Sequence, residues 1–188
     1  MKTRFSRKLH LAFGVMLTIT LALSWYFYDS VRWFEYDVER ITIANAVLNG
    51  HRALSAQTAL KLSMIDESIA NGDIRDLPRW HENSRLMRDA IIGIRHALAE
   101  ESALRRVDGE TDQMQVLDEM EGLVETVIES GEIIRAALEK GRLGSANAES
   151  DDLRAAGTAE LFDELMSGAL AEREKQLIEA NQESISLA

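Results

Sequence analysis

Cysteine is absent from the 188 residues, and proline occurs once, as Pro78. The absence of cysteine excludes disulfides, thiolate metal sites, covalently attached haem and cysteine nucleophiles. Aromatic residues are also scarce, at 6% of the chain. Alanine, leucine, glutamate and arginine are abundant, and these residues lose little conformational freedom on entering a helix. The composition therefore predicts an all-α protein.

After the first 28 residues, basic residues are greatly outnumbered by acidic residues. Residues 1–28 contain four Lys and Arg and no acid, whereas residues 29–188 contain 17 Lys and Arg against 32 Asp and Glu, a net charge of −15. A strongly acidic domain repels phosphate backbones, so we expect no nucleic acid among its partners.

An uncharged run follows the basic tail formed by residues 1–10. As a helix, residues 11–28 span roughly 27 Å, about the thickness of the hydrocarbon layer. The run ends in aromatic residues, and basic residues precede it, which favours a cytoplasmic N-terminus. We therefore predict a transmembrane helix at 11–28 in a bacterial inner membrane, with residues 29–188 in the periplasm. The alternative is a cleavable signal peptide, since Ala22-Leu23-Ser24 loosely resembles a cleavage site.

Breaks and caps divide the remaining chain into four predicted helices. Asn71-Gly72-Asp73 is a stop signal, Asp76 is a cap for the next helix, and the glycines from 141 to 144 end the third. The expected helices cover about 29–70, 77–107, 111–140 and 147–187. Short turns favour antiparallel neighbours, so we expect an up-down-up-down four-helix bundle whose first helix is continuous with the transmembrane helix.

The first of these helices has two apolar stripes at helical spacing. One stripe follows alternating steps of three and four residues: Val31, Phe34, Val38, Ile41 and, past Asn45, Leu48. This spacing is typical of a seam between packed helices. The second stripe contains Ile43, Val47, Leu54 and Ile65, and widens the buried face.

The basic tail, single span and extended four-helix bundle together resemble the extracytoplasmic sensor region of membrane-bound histidine kinases and chemoreceptors. The resemblance implies a periplasmic sensory input domain that detects a small solute or a partner protein and signals by helix displacement. It also implies a homodimer formed through helices one and four, and a second span and an output module further along the chain. The alternative is a bitopic scaffold or adaptor that binds another envelope protein without sensing a ligand.

Continuing the first stripe past Leu48 leads to Arg52 and then to Ser55. An arginine on a buried seam requires a carboxylate, an anionic ligand or water. One interpretation is that Arg52, with Asn45 and Ser55 as hydrogen-bonding neighbours, binds a small anion at a dimer interface. The alternative is that Arg52 pairs with an acid from another helix.

Catalytic and metal chemistry find little support in the sequence. His51, His81 and His96 share no metal-binding spacing, and there is no glycine-rich phosphate loop and no cluster of serine, histidine and aspartate. We therefore expect no enzyme activity within this chain, no metal site and no cofactor.

Overall fold

The computed structural model describes residues 2–105 and 111–186, and within these ranges the chain forms helices joined by short turns. The helices are α1 (Lys2–Asn71), α2 (Leu77–Arg105), α3 (Thr111–Glu139), α4 (Leu143–Ala155) and α5 (Thr158–Ser186). The all-helical class predicted from composition is confirmed.

Glycines with a left-handed backbone end three of the helices. Gly72, Gly141 and Gly157 have φ angles of 71°, 66° and 63°, a conformation that other residues adopt at a cost. After α3, the N–H of Arg142 donates to the carbonyl of Ala137 at 2.8 Å, which satisfies a carbonyl that the helix leaves open. These glycines therefore determine where α1, α3 and α4 stop.

The start of α2 is capped by a side chain. The N–H of Arg79 donates to Oδ1 of Asp76 at 3.0 Å, as the position of Asp76 before Leu77-Pro78 predicts. A cap of this kind contributes about 1 kcal/mol, because it satisfies an N–H group that has no partner within the helix.

The predicted single helix at 147–187 is wrong. The structure has α4 from Leu143 and a separate α5 from Thr158, with the break at Gly157, whose N–H donates to the carbonyl of Arg154 at 3.0 Å. The break is hard to see in the sequence because Ala155 and Ala156, strong helix formers, precede the glycine. The expected helix ends at 107 and 187 lie outside the described residues.

The chain divides into two compact units, Met1–Arg40 and Ile41–Ala188. In the first unit, the large apolar side chains from Phe13 to Val38 are largely exposed. Hydroxyl groups on this part of α1 bond to their own helix, since Thr18 Oγ1 donates to the carbonyl of Gly14 at 2.9 Å.

Within the part of the chain that the structure describes, no helix is sufficiently long and apolar for a membrane crossing. The predicted transmembrane helix at 11–28 is therefore wrong, and so is the single-pass inner-membrane localisation derived from it. The physical reason lies in the composition of the run. It contains Thr18, Thr20 and Ser24 and, near its end, the amphipathic aromatics Trp25, Tyr26 and Tyr28, which lower its mean hydropathy.

The second unit is a bundle of antiparallel helices. On α1 and α2, Gln57 accepts a hydrogen bond of 2.8 Å from Asn83, and a Cβ on Gly50 would lie 2.6 Å from Cγ1 of Ile94. The residue number thus falls along α2 as it rises along α1. The lack of a side chain at Gly50 is what allows α2 to approach so closely.

Ion pairs show that the other neighbouring helices are also antiparallel. Arg88 of α2 pairs with Glu125 of α3 at 2.7 Å, and Arg95 pairs with Asp118 at 2.8 Å. Two further ion pairs connect α1 to the last two helices, in the same antiparallel sense: Asp66 with Arg154 of α4, and Arg52 with Glu174 of α5. The four layers of the bundle are therefore the second part of α1, α2, α3, and α4 with α5.

A continuous apolar core lies between these layers. Its largest side chains are almost completely buried: Leu54, Ile65, Trp80, Met87, Ile94, Leu117, Met120, Val124 and Ile134. Burial of one such side chain stabilises the fold by about 1.5–3 kcal/mol.

The buried face of α1 is the second stripe rather than the first. The buried positions follow alternating steps of three and four residues: Ala44, Val47, His51, Leu54, Thr58, Lys61, Ile65 and Ser68. From the first stripe, Asn45 and Arg52 are exposed, whereas Leu48 is buried. The apolar pattern did not separate the stripes, because polar residues occupy half of the positions on the buried one.

Candidate functional site

The three residues predicted to bind an anion lie toward the outside of α1. Asn45 is exposed and Ser55 is half-buried. Arg52 Nη2 lies 3.2 Å from Oε1 of Glu174, and both side chains are more than half exposed. This is the pairing with an acid from another helix that the sequence left open. Anion binding by Arg52, Asn45 and Ser55 stays a prediction.

The interior of the bundle contains a buried lysine. Lys61 is 0% exposed, and its ammonium group donates to Oγ of Ser84 at 2.9 Å and to the carbonyl of Trp80 at 3.3 Å. The same nitrogen lies 3.7 Å from the centroid of the Trp80 ring, a cation–π contact. An ammonium group has three N–H donors, and these three contacts account for all of them.

A carboxylate lies behind the tryptophan. Trp80 Nε1 donates to Oε1 of Glu132 at 2.9 Å, and Arg135 donates to the other oxygen at 2.7 Å. Burial acts against the charged form of Glu132, but the hydrogen bonds from Arg135 and Trp80 outweigh it and lower the pKa of this carboxyl. Glu132 therefore stays charged and stabilises the nearby lysine.

Burial is the main cause that lowers the pKa of Lys61 to about 8, and the charge of Glu132 partly offsets it. On α3, a Cβ at Gly131 would lie 3.1 Å from Cε of Lys61 and 3.2 Å from Cζ2 of Trp80. We call Lys61, Trp80, Ser84, Gly131 and Glu132 the lysine layer. It is tightly packed around Lys61, Trp80 and Gly131, and the lysine bonds to protein groups, which is the arrangement of a structural cluster.

A groove opens in the same bundle, nearer the first residues of α3. Its volume is about 480 Å³, within the range of small-molecule sites. Four helices line this groove: His51 of α1, Leu98 of α2, Gln113 and Val116 of α3, and Glu164, Leu165, Gly168, Ala169, Glu172 and Arg173 of α5. The buried members, His51, Leu98 and Arg173, form its floor, and exposed residues of α5 form its mouth.

The arginine at the floor is held by partners from two other helices. Arg173 is 3% exposed, and its Nη1 donates to Oε2 of Glu101 at 2.6 Å, while Nη2 donates to Gln113. A buried charge of this kind is tolerated because it is paired and hydrogen-bonded. The pair links α5 to α2 and leaves the guanidinium engaged by the protein itself.

The histidine at the floor is held in one tautomer. Its Nδ1 lies 2.9 Å from the carbonyl oxygen of Val47, which can only accept, so Nδ1 carries the proton. Burial, and to a smaller extent the charge of Arg173, lower the pKa of His51, although the Val47 bond opposes them. The ring is therefore neutral near pH 7.

The groove exists because α5 has small residues where it faces the opening. A Cβ on Gly168 would meet no atom within 4 Å, and Ala169 follows it. In contrast, the side chains of the lysine layer leave no room at Gly131. The groove is thus an apolar space with a neutral imidazole and a paired arginine at its floor, and it can bind a small, largely apolar molecule.

Sequence analysis considered His51 only as a metal ligand and rejected that role, and it assigned no role to Lys61, Glu101 or Arg173. The spacing of the second stripe could have indicated that His51 and Lys61 are buried. Both continue its steps of three and four residues through Val47 and Leu54. No comparable signal existed for Glu101 and Arg173, which are far apart in the chain and meet only in the fold.

Comparison with protein-family models, with curated proteins and with solved structures gives no match to this chain.

Proposed function

We propose that the bundle is a sensory input module that binds a small, largely apolar molecule in the groove at His51, Leu98 and Arg173. The observation that carries the proposal is the groove itself. It is open at α5, while Trp80 fills the space around the fully buried Lys61 in the same bundle. A preformed apolar space with a few convergent polar groups is the usual form of a small-molecule site.

The groove is positioned to convert binding into a helix shift. Its mouth consists of α5 residues, and α5 is connected to α1 beside the groove by the exposed pair of Arg52 and Glu174. Exposed ion pairs contribute little, about 0–1 kcal/mol, so this connection yields when the helix moves. A ligand that enters between α3 and α5 therefore displaces α5 relative to α1, by the 1–2 Å typical of signalling helices.

The first experiment measures binding to the full chain with an apolar fluorescent dye that brightens out of water. Gly168→Leu fills the groove, so we expect it to weaken dye binding by at least about 10-fold, the effect of losing a buried apolar contact of ~1.4 kcal/mol. Gly93→Leu is the matched control, because Gly93 lies in the middle of α2, is exposed, and also has no atom within 4 Å of a built Cβ. Equal binding by the two variants contradicts the proposal.

The second experiment measures the helix shift. The chain has no cysteine, so Ala56→Cys on α1 and Ala171→Cys on α5, both exposed, provide the only two sites for spin labels. We expect the distance between the labels to change when a groove ligand is added and to stay constant when Gly168→Leu is also present. Binding without a change in distance favours a module that binds but does not signal.

A further inference from the structure

The groove offers a ligand a hydrogen-bond acceptor at its floor. The single N–H of the neutral His51 ring is used by the carbonyl of Val47, so Nε2 keeps its lone pair. Nε2 and Cε1 form the outer edge of the imidazole ring, opposite its attachment to the α1 backbone, and His51 lines the groove while only 4% exposed. Among the described residues, no group donates a hydrogen bond to Nε2.

Both terminal nitrogens of Arg173 at the floor already donate to protein groups. Arg173 directs Nη1 to Glu101 and Nη2 to Gln113. An anionic ligand would have to compete with these partners for the guanidinium, and disrupting the buried pair of Arg173 and Glu101 is unfavourable. The carboxylates of Glu164 and Glu172 at the mouth oppose an anion further, since like charges repel.

A cationic ligand is also disfavoured at this floor. The positive charge of Arg173 acts on the His51 ring, and it would repel an ammonium group that approached Nε2. An ammonium group would in addition lose its water shell on entering an apolar groove. The polar group that fits is a neutral hydrogen-bond donor.

We infer that the groove binds a neutral, hydroxyl-bearing apolar molecule, a phenol or an alcohol, whose hydroxyl donates to Nε2 of His51. Its apolar part contacts Leu98, Val116 and Leu165. This inference rests on the proposed function, because it names the ligand class of the same groove.

The test uses the full chain and four probes of similar size: 4-propylphenol, 4-propylanisole, 4-propylbenzoate and 4-propylbenzylamine. Titration calorimetry near neutral pH measures the affinity of each. The anisole has the same ring and oxygen as the phenol but no donor. We expect the phenol to bind about 5- to 10-fold more tightly than the anisole, the effect of one net hydrogen bond. The benzoate and the benzylamine bind more weakly than both.

Substitutions of His51 test whether Nε2 accepts the hydrogen bond from the ligand. His51→Leu keeps an apolar side chain and removes Nε2, so the ratio of phenol to anisole affinity falls to about one. His51→Gln retains an acceptor and retains part of the preference. His96→Leu is the control, because His96 is exposed on α2 and its substitution leaves the ratio unchanged. The comparison of probes in the unsubstituted chain tests the inference even where a variant fails to fold.

The outcomes separate the two proposals. Equal affinities for phenol and anisole, or tightest binding of the benzoate or benzylamine, overturn the inferred ligand class and leave the proposed function standing, provided that Gly168→Leu weakens binding. Binding that Gly168→Leu does not weaken, or no binding of any probe, overturns both.

Discussion

The lysine layer and the groove are two solutions to the same problem, a basic side chain on the buried seam of α1. Lys61 and His51 lie ten positions apart on that seam, about 15 Å along the helix. Around Lys61, the ring of Trp80 and the close approach at Gly131 fill the space, and the ammonium group donates to Ser84 and to the carbonyl of Trp80. Around His51, small residues of α5 leave a groove, and within the described part of the chain no residue donates to one of the ring nitrogens. The residue opposite the seam, rather than the buried polar residue, thus decides whether a layer is structural or able to bind.

The largest expected loss of stability comes from removing the Trp80 side chain, which covers Lys61. Trp80→Ala should lower the free energy of unfolding by about 3–5 kcal/mol, because it creates a cavity and leaves Lys61 without its ring contact. Leu165→Ala at the half-buried wall of the groove should cost about 1 kcal/mol. Urea unfolding followed by circular dichroism measures both. Similar losses for the two variants would contradict the distinction between the filled surroundings of Lys61 and the open groove.

The next largest expected effect is a dependence of the unfolding free energy on pH, caused by the titration of Lys61. Its pKa is lowered from 10.5 to about 8 in the folded chain, so between these values the unfolded chain binds more protons. Stability therefore rises with pH across this window, by about 3 kcal/mol in total, and the full penalty is present below pH 8.

The control for this pH dependence is Lys61→Met, which fits the apolar surroundings and cannot be protonated. The difference in unfolding free energy between the unsubstituted chain and Lys61→Met, measured by urea unfolding from neutral to alkaline pH, should narrow as the pH rises. An identical pH slope in both proteins would show that Lys61 keeps an ordinary pKa.

The smallest expected effect is a change in stability of opposite sign when two glycines are replaced by alanine. Gly168→Ala should stabilise the fold by about 0.5–1 kcal/mol, since alanine is the better helix former and its Cβ meets no atom. Gly131→Ala should destabilise it by about 1 kcal/mol despite the same gain in helix propensity, because the new Cβ crowds the rigid Trp80 ring and the buried Lys61. Thermal unfolding of the two variants compares them directly. Stabilisation at both positions would indicate that the lysine layer yields as easily as the groove.

Local signals in the sequence predicted several features correctly. The stop at Gly72 and the cap at Asp76 depend only on the conformations and hydrogen bonds of neighbouring residues, and both occur as expected. The break at Gly157 is equally local, but the alanines before it concealed it. The transmembrane helix at 11–28 was wrong because a count of uncharged residues gave no weight to the hydroxyl and aromatic residues within the run.

The candidate site was less accessible to sequence reasoning. Arg52 was placed on the seam by a stripe that begins at Val31, although the buried stripe is the one through Val47 and Leu54. The two stripes have the same spacing, so the period alone cannot distinguish them. The resemblance to sensor regions and the expected homodimer stay predictions.

By itself, the sequence determined the helical class and several helix ends, since composition, glycine and capping residues act over a few positions of the chain. Only the tertiary structure decided which face of α1 is buried, that Trp80 covers Lys61, and that Arg173 meets Glu101 beneath a groove. These features depend on side chains from different helices, and the free energy of burying a polar group is set by partners that are distant in the sequence.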